Sequence, residues 1–407
     1  MENTSYAFLA MLIPEEEYEI VKNNSYHSMP DAANALQWHL YNGLCENLNY
    51  PIHIINVLPV YSWPQYYKKW YIKKSTFHTR YSKDNISIKF LNFKVTRKYS
   101  KNRNIYTALM NWCKNNQGKK VLFVYTLSGT LLSVIHKVKI KYPELKVCPI
   151  VADLPNMRNL SSKKSLLNKI LEKSSIDSVE KHESSVDFYV LLTKHMATYL
   201  NITKPFCVVE GIATDISEFG EKSDDTNAIK TVLYSGTLHK RFGVLNLVNA
   251  FRQIDNENYR LVLCGVGDCE EDIKKASLED TRIQFLGQVS RKDVLNLQKK
   301  ATVVVNPRQD TEEFTKYSFP SKNLEYLSSG TPLIAYKLDG IPDEYDEYIF
   351  YVKDNSIQEL AYTILNVCQR SQAELSEHGK KAQSFVKNEK NEIVQTKKII
   401  ELVSSSV

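Results

Sequence analysis

Short apolar runs that close on glycine, each followed by apolar residues at helical spacing, recur through the second half of the chain. The runs at 230–236, 259–265 and 282–287 are rich in β-branched and aromatic residues and end at Gly236, Gly265 and Gly287. Between and after them, 244–254, 269–278 and 291–300 place apolar residues three and four apart, which predicts helices. Further strands are expected at 301–306, 333–336 and 348–352, and the pattern from about 357 to 407 is helical. Strands alternating with helices imply a parallel sheet wrapped on both faces, with ligands at the carboxyl ends of the strands.

The first half is less regular but of the same kind. Strands are expected at 6–13, 52–58, 120–125, 146–152 and 188–192, and helices at 32–48, 105–115, 129–142 and 195–200. A chain of 407 residues is too long for one ordinary core. The expectation is an α/β protein of two doubly wound parallel-sheet domains facing a cleft, at 1–215 and 228–385, with a terminal helix at 386–407. The join near 215–229 is polar and rich in breakers, from Ser217 and Gly220 to Asp224, Asp225 and Asn227.

The most informative stretch runs from Tyr317 to Ala335. Pro320 suits the first turn of a helix and Gly330 the left-handed position after its last, so a loop, a helix and a buried strand from Leu333 follow in order. Such a helix start points free N–H groups and partial positive charge outward, where a diphosphate can sit. Glu325 lies about one turn further in, on the same face as Ser321. A carboxylate there can accept both hydroxyls of a ribose.

Charge changes the picture of the first half. Residues 1–205 hold 28 Lys and Arg against 15 Asp and Glu, while the remainder holds 25 against 31, so the overall +7 conceals a basic half and a mildly acidic one. The densest basic piece, Lys68 to Arg103, carries twelve cations and one acid, Asp84, and begins among Tyr61, Trp63, Tyr66, Tyr67, Trp70 and Tyr71. Tyr and Trp suit the headgroup level of a bilayer and Lys and Arg its anionic lipids. Segment 61–103 therefore reads either as a solvated basic face or as a docking surface for the inner membrane. No nucleic-acid-binding motif accompanies it, and no nucleic acid partner is expected. No run of eighteen apolar residues occurs, which argues against a membrane span. Seven scattered cysteines without metal-ligand spacing suit a reducing, cytoplasmic setting.

The frame Tyr317-Ser318-Phe319-Pro320 followed by Glu325 resembles the donor-site signature of the family 4 glycosyltransferases, a Glu, seven residues and a second Glu. The second Glu is present and the first is replaced by Tyr317; Glu312 and Glu313 lie upstream, out of frame, as loop decoration. The resemblance implies the GT-B fold of two Rossmann-like domains, a nucleotide-sugar donor, and transfer with retention in bacterial capsule, exopolysaccharide or O-antigen assembly. It also implies that Glu325 binds the ribose, that the backbone of Phe319, Pro320, Ser321 and Lys322 holds phosphate, and that Tyr317 meets the donor sugar. Gly236-Thr237-Leu238-His239-Lys240-Arg241-Phe242-Gly243 resembles the family's phosphate loop, with Thr237 and Phe242 where the family has cations. Lys240 and Arg241, one or two positions away, are candidates to neutralise the leaving diphosphate; adjacent solvated cations are the equal alternative. Gly265 and Gly267 resemble the turn after the second strand of that domain, and the loop with Val289 the one that reads the base. The terminal helix would return to the first domain.

In the first half Asp153 ends a strand where related enzymes carry a His or Asp near the donor sugar; it either caps that turn or faces the reacting centre. Asp31 and Asn34 open the first long helix at the place of the acceptor loop, and read as helix caps before they read as ligands. No His pair at metal-ligand spacing and no Asp-x-Asp occurs, so chemistry without metal is expected; the resemblance implies a UDP- or GDP-sugar as donor and a glycan or polyprenyl-diphosphate-linked glycan as acceptor. A nicotinamide oxidoreductase would need a complete glycine fingerprint, but Glu270 stands at its third position. A non-catalytic nucleotide-sugar-binding scaffold is the remaining rival.

Overall fold

The computed structural model describes residues 4–27, 29–154, 176–214, 216 and 229–405. Two compact units emerge, Met1–Ile212 together with Glu392–Val407, and Ala213–Asn391. The expected linker residues 217–227 lie outside the described residues.

The first unit contains β1 (Thr4–Ala10), β2 (His53–Asn56), β3 (Tyr71–Ile72), β4 (Ser75–Phe77), β5 (Asn85–Ser87), β6 (Phe90–Leu91), β7 (Lys119–Tyr125), β8 (Leu145–Val151), β9 (Tyr189–Leu191) and β10 (Phe206–Val208). Eight of them form one sheet, ordered β10-β9-β8-β7-β1-β2-β5-β4, in which only β4 runs antiparallel to its neighbour. Central strands read as continuous apolar runs because both faces are covered. Tyr6, Phe8 and Ala10 share a core with Tyr41 and Leu44 of the Asp31–Leu48 helix and with Ile399 and Val403 of the Glu392–Ser404 helix. Ala7 and Leu9, equally buried, point to the opposite face.

The second unit is regular. β11 (Lys230–Ser235), β12 (Tyr259–Cys264), β13 (Ile283–Phe285), β14 (Val303–Asn306), β15 (Leu333–Tyr336) and β16 (Ile349–Val352) form an all-parallel sheet ordered β13-β12-β11-β14-β15-β16. The chain moves outward from β11 to β13, then returns to β14 and moves outward the other way. The strand order therefore reverses between β11 and β14, and the crevice beyond their carboxyl ends is where a doubly wound sheet takes its ligand.

Several elements differ from the sequence reading. Glu15–Asn24 is a helix whose first turn is all acid, a charge that favours a helix N-terminus. The helix expected from 105 starts at Arg97. The terminal helical segment is three helices, Ile357–Cys368, Gln372–Glu389 and Glu392–Ser404, the first two capped by Ser356 and Ser371.

Candidate functional site

Glycines bring the loops beyond β11, β12 and β13 into contact. Gly236 N–H donates to Cys264 O (3.0 Å) and Gly265 N–H to Gly287 O (2.8 Å). At Gly265, φ is +138° and an added Cβ would lie 1.8 Å from Gly236 O, so only glycine fits. Gly243, with φ +75°, likewise abuts Pro307 O, tying the loop after β11 to the loop after β14. Thr237 is exposed on this rim, and Val289 packs against the core.

Across the switch point stands the Ser321–Ser328 helix, entered through Pro320 and followed by Gly330 at φ +72°. Tyr326, fully buried, staples it to the end of β11: its hydroxyl accepts from Ser235 N–H (2.8 Å) and donates to Ser235 O (3.0 Å). Asn323 Oδ1 accepts from Asn306 Nδ2 (2.6 Å) at the end of β14. Lys322 reaches the Gly236 loop, since a Cβ on Gly236 would meet its Cε at 3.7 Å. The helix start and the Gly236 loop therefore adjoin.

Glu325 is largely buried, its side chain 19% exposed, and its Oε1 accepts from Gln298 Nε2 (2.6 Å) and Lys322 Nζ (2.9 Å). Burial pushes its pKa up, but the Lys322 ammonium and the two hydrogen bonds outweigh burial and hold it below the usual carboxylate range. Gln298 is itself fixed by Ser235 Oγ (2.9 Å). A buried, ionised, oriented acceptor results.

The cations of the site are arranged differently from the sequence expectation. Lys240 is exposed and 3.4 Å from Asp272. Arg241 donates to Glu312 Oε2 (2.6 Å), so Glu312 is no loop decoration but the counter-ion of a candidate phosphate residue. The Arg241 guanidinium also stacks on Phe314 (4.2 Å), which Arg308 contacts as well (4.4 Å). Arg308 donates to Ser318 Oγ (2.7 Å), and its Nε is buried without a partner. Burial and the neighbouring Arg241 lower its pKa to about 10. Arg308, weighed from the sequence beside Lys240, Arg241 and Lys322 as either a site cation or a solvated one, is thus the cation of this cluster most in need of an anion. Its signal in sequence was its place just after β14, in Asn306-Pro307-Arg308.

Tyr317 is partly buried, with its hydroxyl 3.4 Å from Glu313 and its pKa raised by burial and by that carboxylate. The Phe319 side chain packs on Tyr345 in the core (5.2 Å), and Pro320 is buried, so these two can offer a ligand backbone alone. Ser321 is exposed at the helix start.

In the first unit Asp153 is exposed in the bend after β8. Asp31 and Asn34 are not helix caps, because Pro30 holds the cap position without a side-chain bond. Asp31 accepts instead from Tyr18 OH (2.9 Å), and Asn34 Oδ1 from Ile13 N–H (2.7 Å), pinning the loop after β1. Two grooves of about 690 and 740 Å³ in this unit contain none of the expected site residues. Among the described residues no group of three His, Cys, Asp or Glu could hold a metal, and no helix is long and apolar enough to cross a membrane. All seven cysteines are free.

Residues 229–370 match the family model described as glycosyl transferases group 1, which spans the whole of the strand order just described. No curated protein matches the chain. Among solved structures, the chain is similar to a sucrose-phosphate synthase from Thermosynechococcus elongatus, at 15% identity and TM-score 0.66 with 98% of each chain covered. It is similar to the apo form of the lipopolysaccharide outer core galactosyltransferase WaaB, at 13% identity and TM-score 0.60 with 99% of this chain and 100% of that one covered. The catalytic domain of starch synthase IV from Arabidopsis thaliana, bound to ADP and acarbose, matches at 10% identity and TM-score 0.59 with 99% of each covered. These likenesses give the fold, an α/β GT-B architecture. The family match over residues 229–370, on this fold, supports a transferase.

Proposed function

We propose that this chain moves a sugar from a nucleotide-diphosphate-sugar to a hydroxyl of a glycan or lipid-linked acceptor, with retention, in bacterial surface polysaccharide synthesis. The observation that carries the reading is Glu325: a buried carboxylate kept ionised by Lys322, beside a helix start that adjoins a glycine loop at the switch point. Its second oxygen is available to the ribose hydroxyls of a UDP- or GDP-sugar, while the N–H groups around Ser321 and the cations Lys322, Arg308, Arg241 and Lys240 receive the diphosphate. As the sugar–phosphate bond breaks, negative charge grows on that diphosphate. Fixed guanidinium and ammonium groups stabilise it, and the diphosphate oxygen takes the acceptor proton. In this reading no metal is required, Tyr317 borders the donor sugar, Asp153 faces the reacting centre, and Asp31 and Asn34 shape the acceptor side. Proteins of the same fold bound with UDP-2-fluoro glucose and with ADP support the nucleotide class.

The location proposed is the cytoplasm, peripheral on the inner face of the plasma membrane. Within 61–103, Tyr67 is core, but Tyr61, Trp70 and Tyr99 are more than half exposed among the lysines of the segment, the amphipathic pattern an anionic bilayer attracts.

Transfer and hydrolysis of radiolabelled UDP- and GDP-sugars by the wild type and by Glu325→Ala test the proposal. Turnover by the wild type, lost in the variant, is expected. Nucleotide binding without turnover would favour the scaffold reading, toward which the replacement of an acid by Tyr317 points.

A further inference from the structure

At the first turn of the Arg97–Asn115 helix, Arg97 and Lys101 stand one turn apart on one face, and no acidic residue occupies that turn. Arg97 donates through Nη2 to Val60 O, four residues beyond the carboxyl end of β2, and its Nε is buried without a partner. The Lys101 ammonium lies over the Phe90 ring (4.4 Å), and among the described residues it has no hydrogen bond and no ion pair. The backbone N–H of the adjoining Leu91 is already taken by Ser100 Oγ (2.9 Å), so β6 and the helix are fixed against each other. Two cations therefore share a desolvated corner beyond the carboxyl end of β2, with no carboxylate within ion-pair distance of either among the described residues. Burial pushes Arg97 down, with Tyr61 acting against it, and burial together with the Arg97 charge pushes Lys101 to about 7. Buried charge of this kind is normally compensated. The N-terminal end of a 19-residue helix adds positive potential to the same corner.

We propose that Arg97 and Lys101 form a second anion site, distinct in its residues from the donor loops, which takes the phosphate or diphosphate group of the acceptor. The site itself follows from the unpaired cations; naming its occupant the acceptor rests on the glycosyl-transfer reading. Two cations and a helix end match the charge of a diphosphate, and the exposed Tyr61 and Trp70 nearby in sequence suit an attached apolar chain.

Calorimetric titration of the full chain with inorganic pyrophosphate and with geranyl diphosphate, alongside thermal unfolding, tests this. The wild type should bind geranyl diphosphate, Arg97→Gln and Lys101→Gln should bind it about tenfold or more weakly, and Lys101→Arg should retain it. Lys300→Gln, at an exposed cation outside both sites, should leave it unchanged. Without ligand, Lys101→Gln should melt at or above the wild-type temperature, because one of two repelling cations is gone; a structural lysine would lower it. Folded Gln variants that bind geranyl diphosphate like the wild type, or a wild type that binds neither probe, would overturn the site. Sedimentation with phosphatidylglycerol vesicles separates the sources: loss of vesicle binding in the Gln variants with soluble diphosphate binding intact would assign the corner to bilayer headgroups and overturn the acceptor assignment. Failure of nucleoside diphosphates to bind would sink the donor reading and leave these titrations to stand by themselves.

Discussion

Glu325 is a carboxylate whose folded pKa lies below its unfolded value near about 4.3. The sign follows from linkage: the ionised form is favoured by folding, so its contribution is present above the unfolded pKa and is lost as pH falls through the depressed folded one. Glu325→Gln is expected to be less stable than the wild type at pH 7 and to close that gap below about pH 4; urea denaturation at pH 7 and pH 3.5 checks it, and a gap that stays constant contradicts it. Arg308→Gln removes the site cation whose Nε lacks a partner. Donor nucleoside diphosphate should bind about tenfold or more weakly to that variant while the free nucleoside binds as before, a split read by titration. Neither Arg308's environment nor the Arg241–Glu312 pair was legible in sequence. The 71 positions between Arg241 and Glu312 carry no local signal of contact; only the parallel pairing of β11 with β14 brings their loops together.

At the scale of elements, what the sequence disclosed best were those that Pro and Gly punctuate. The Pro320 to Gly330 helix and the three glycine-terminated strands of the second unit stand where the pattern put them, because a missing N–H and a positive φ are properties of single residues. Two- and three-residue strands such as β3, β5 and β6 lack the length for a period-2 pattern, and the Glu15–Asn24 helix hid behind its acidic first turn. Gly265→Ala should cost more than about 1 kcal/mol, since both its φ and the 1.8 Å approach to Gly236 O exclude a methyl group; a stability within error of wild type would contradict the described loop contact. Tyr326→Phe leaves Ser235 N–H and C=O without their buried partner and should cost about 1–3 kcal/mol by denaturant unfolding.

For the whole molecule, chain order and spatial grouping part company at the end. The Glu392–Ser404 helix belongs with the first unit, where Gly43 leaves no room for a Cβ against Glu392 O (2.2 Å) and Asn47 Nδ2 donates to Thr396 Oγ1 (2.8 Å). Helical spacing of 357–407 was visible in sequence, but which core it serves was a matter of family resemblance. Ile399 and Val403 are buried, at about 1.5–3 kcal/mol each, so truncation after Asn391 should remove several kcal/mol from the first unit and leave the second folded. Limited proteolysis of the truncated chain should cut first within residues 1–212, and resistance there equal to wild type would contradict the packing.

The central claim is that Glu325 holds the ribose of a nucleotide donor at the switch point of the second unit. Its most direct test compares the affinity of a nucleoside diphosphate with that of its 2′,3′-dideoxy form, in wild type and in Glu325→Gln, using whichever of UDP, GDP and ADP stabilises the fold. The account predicts a preference of about tenfold or more for the ribose form in the wild type and none in the variant; an equal preference in both proteins would contradict it.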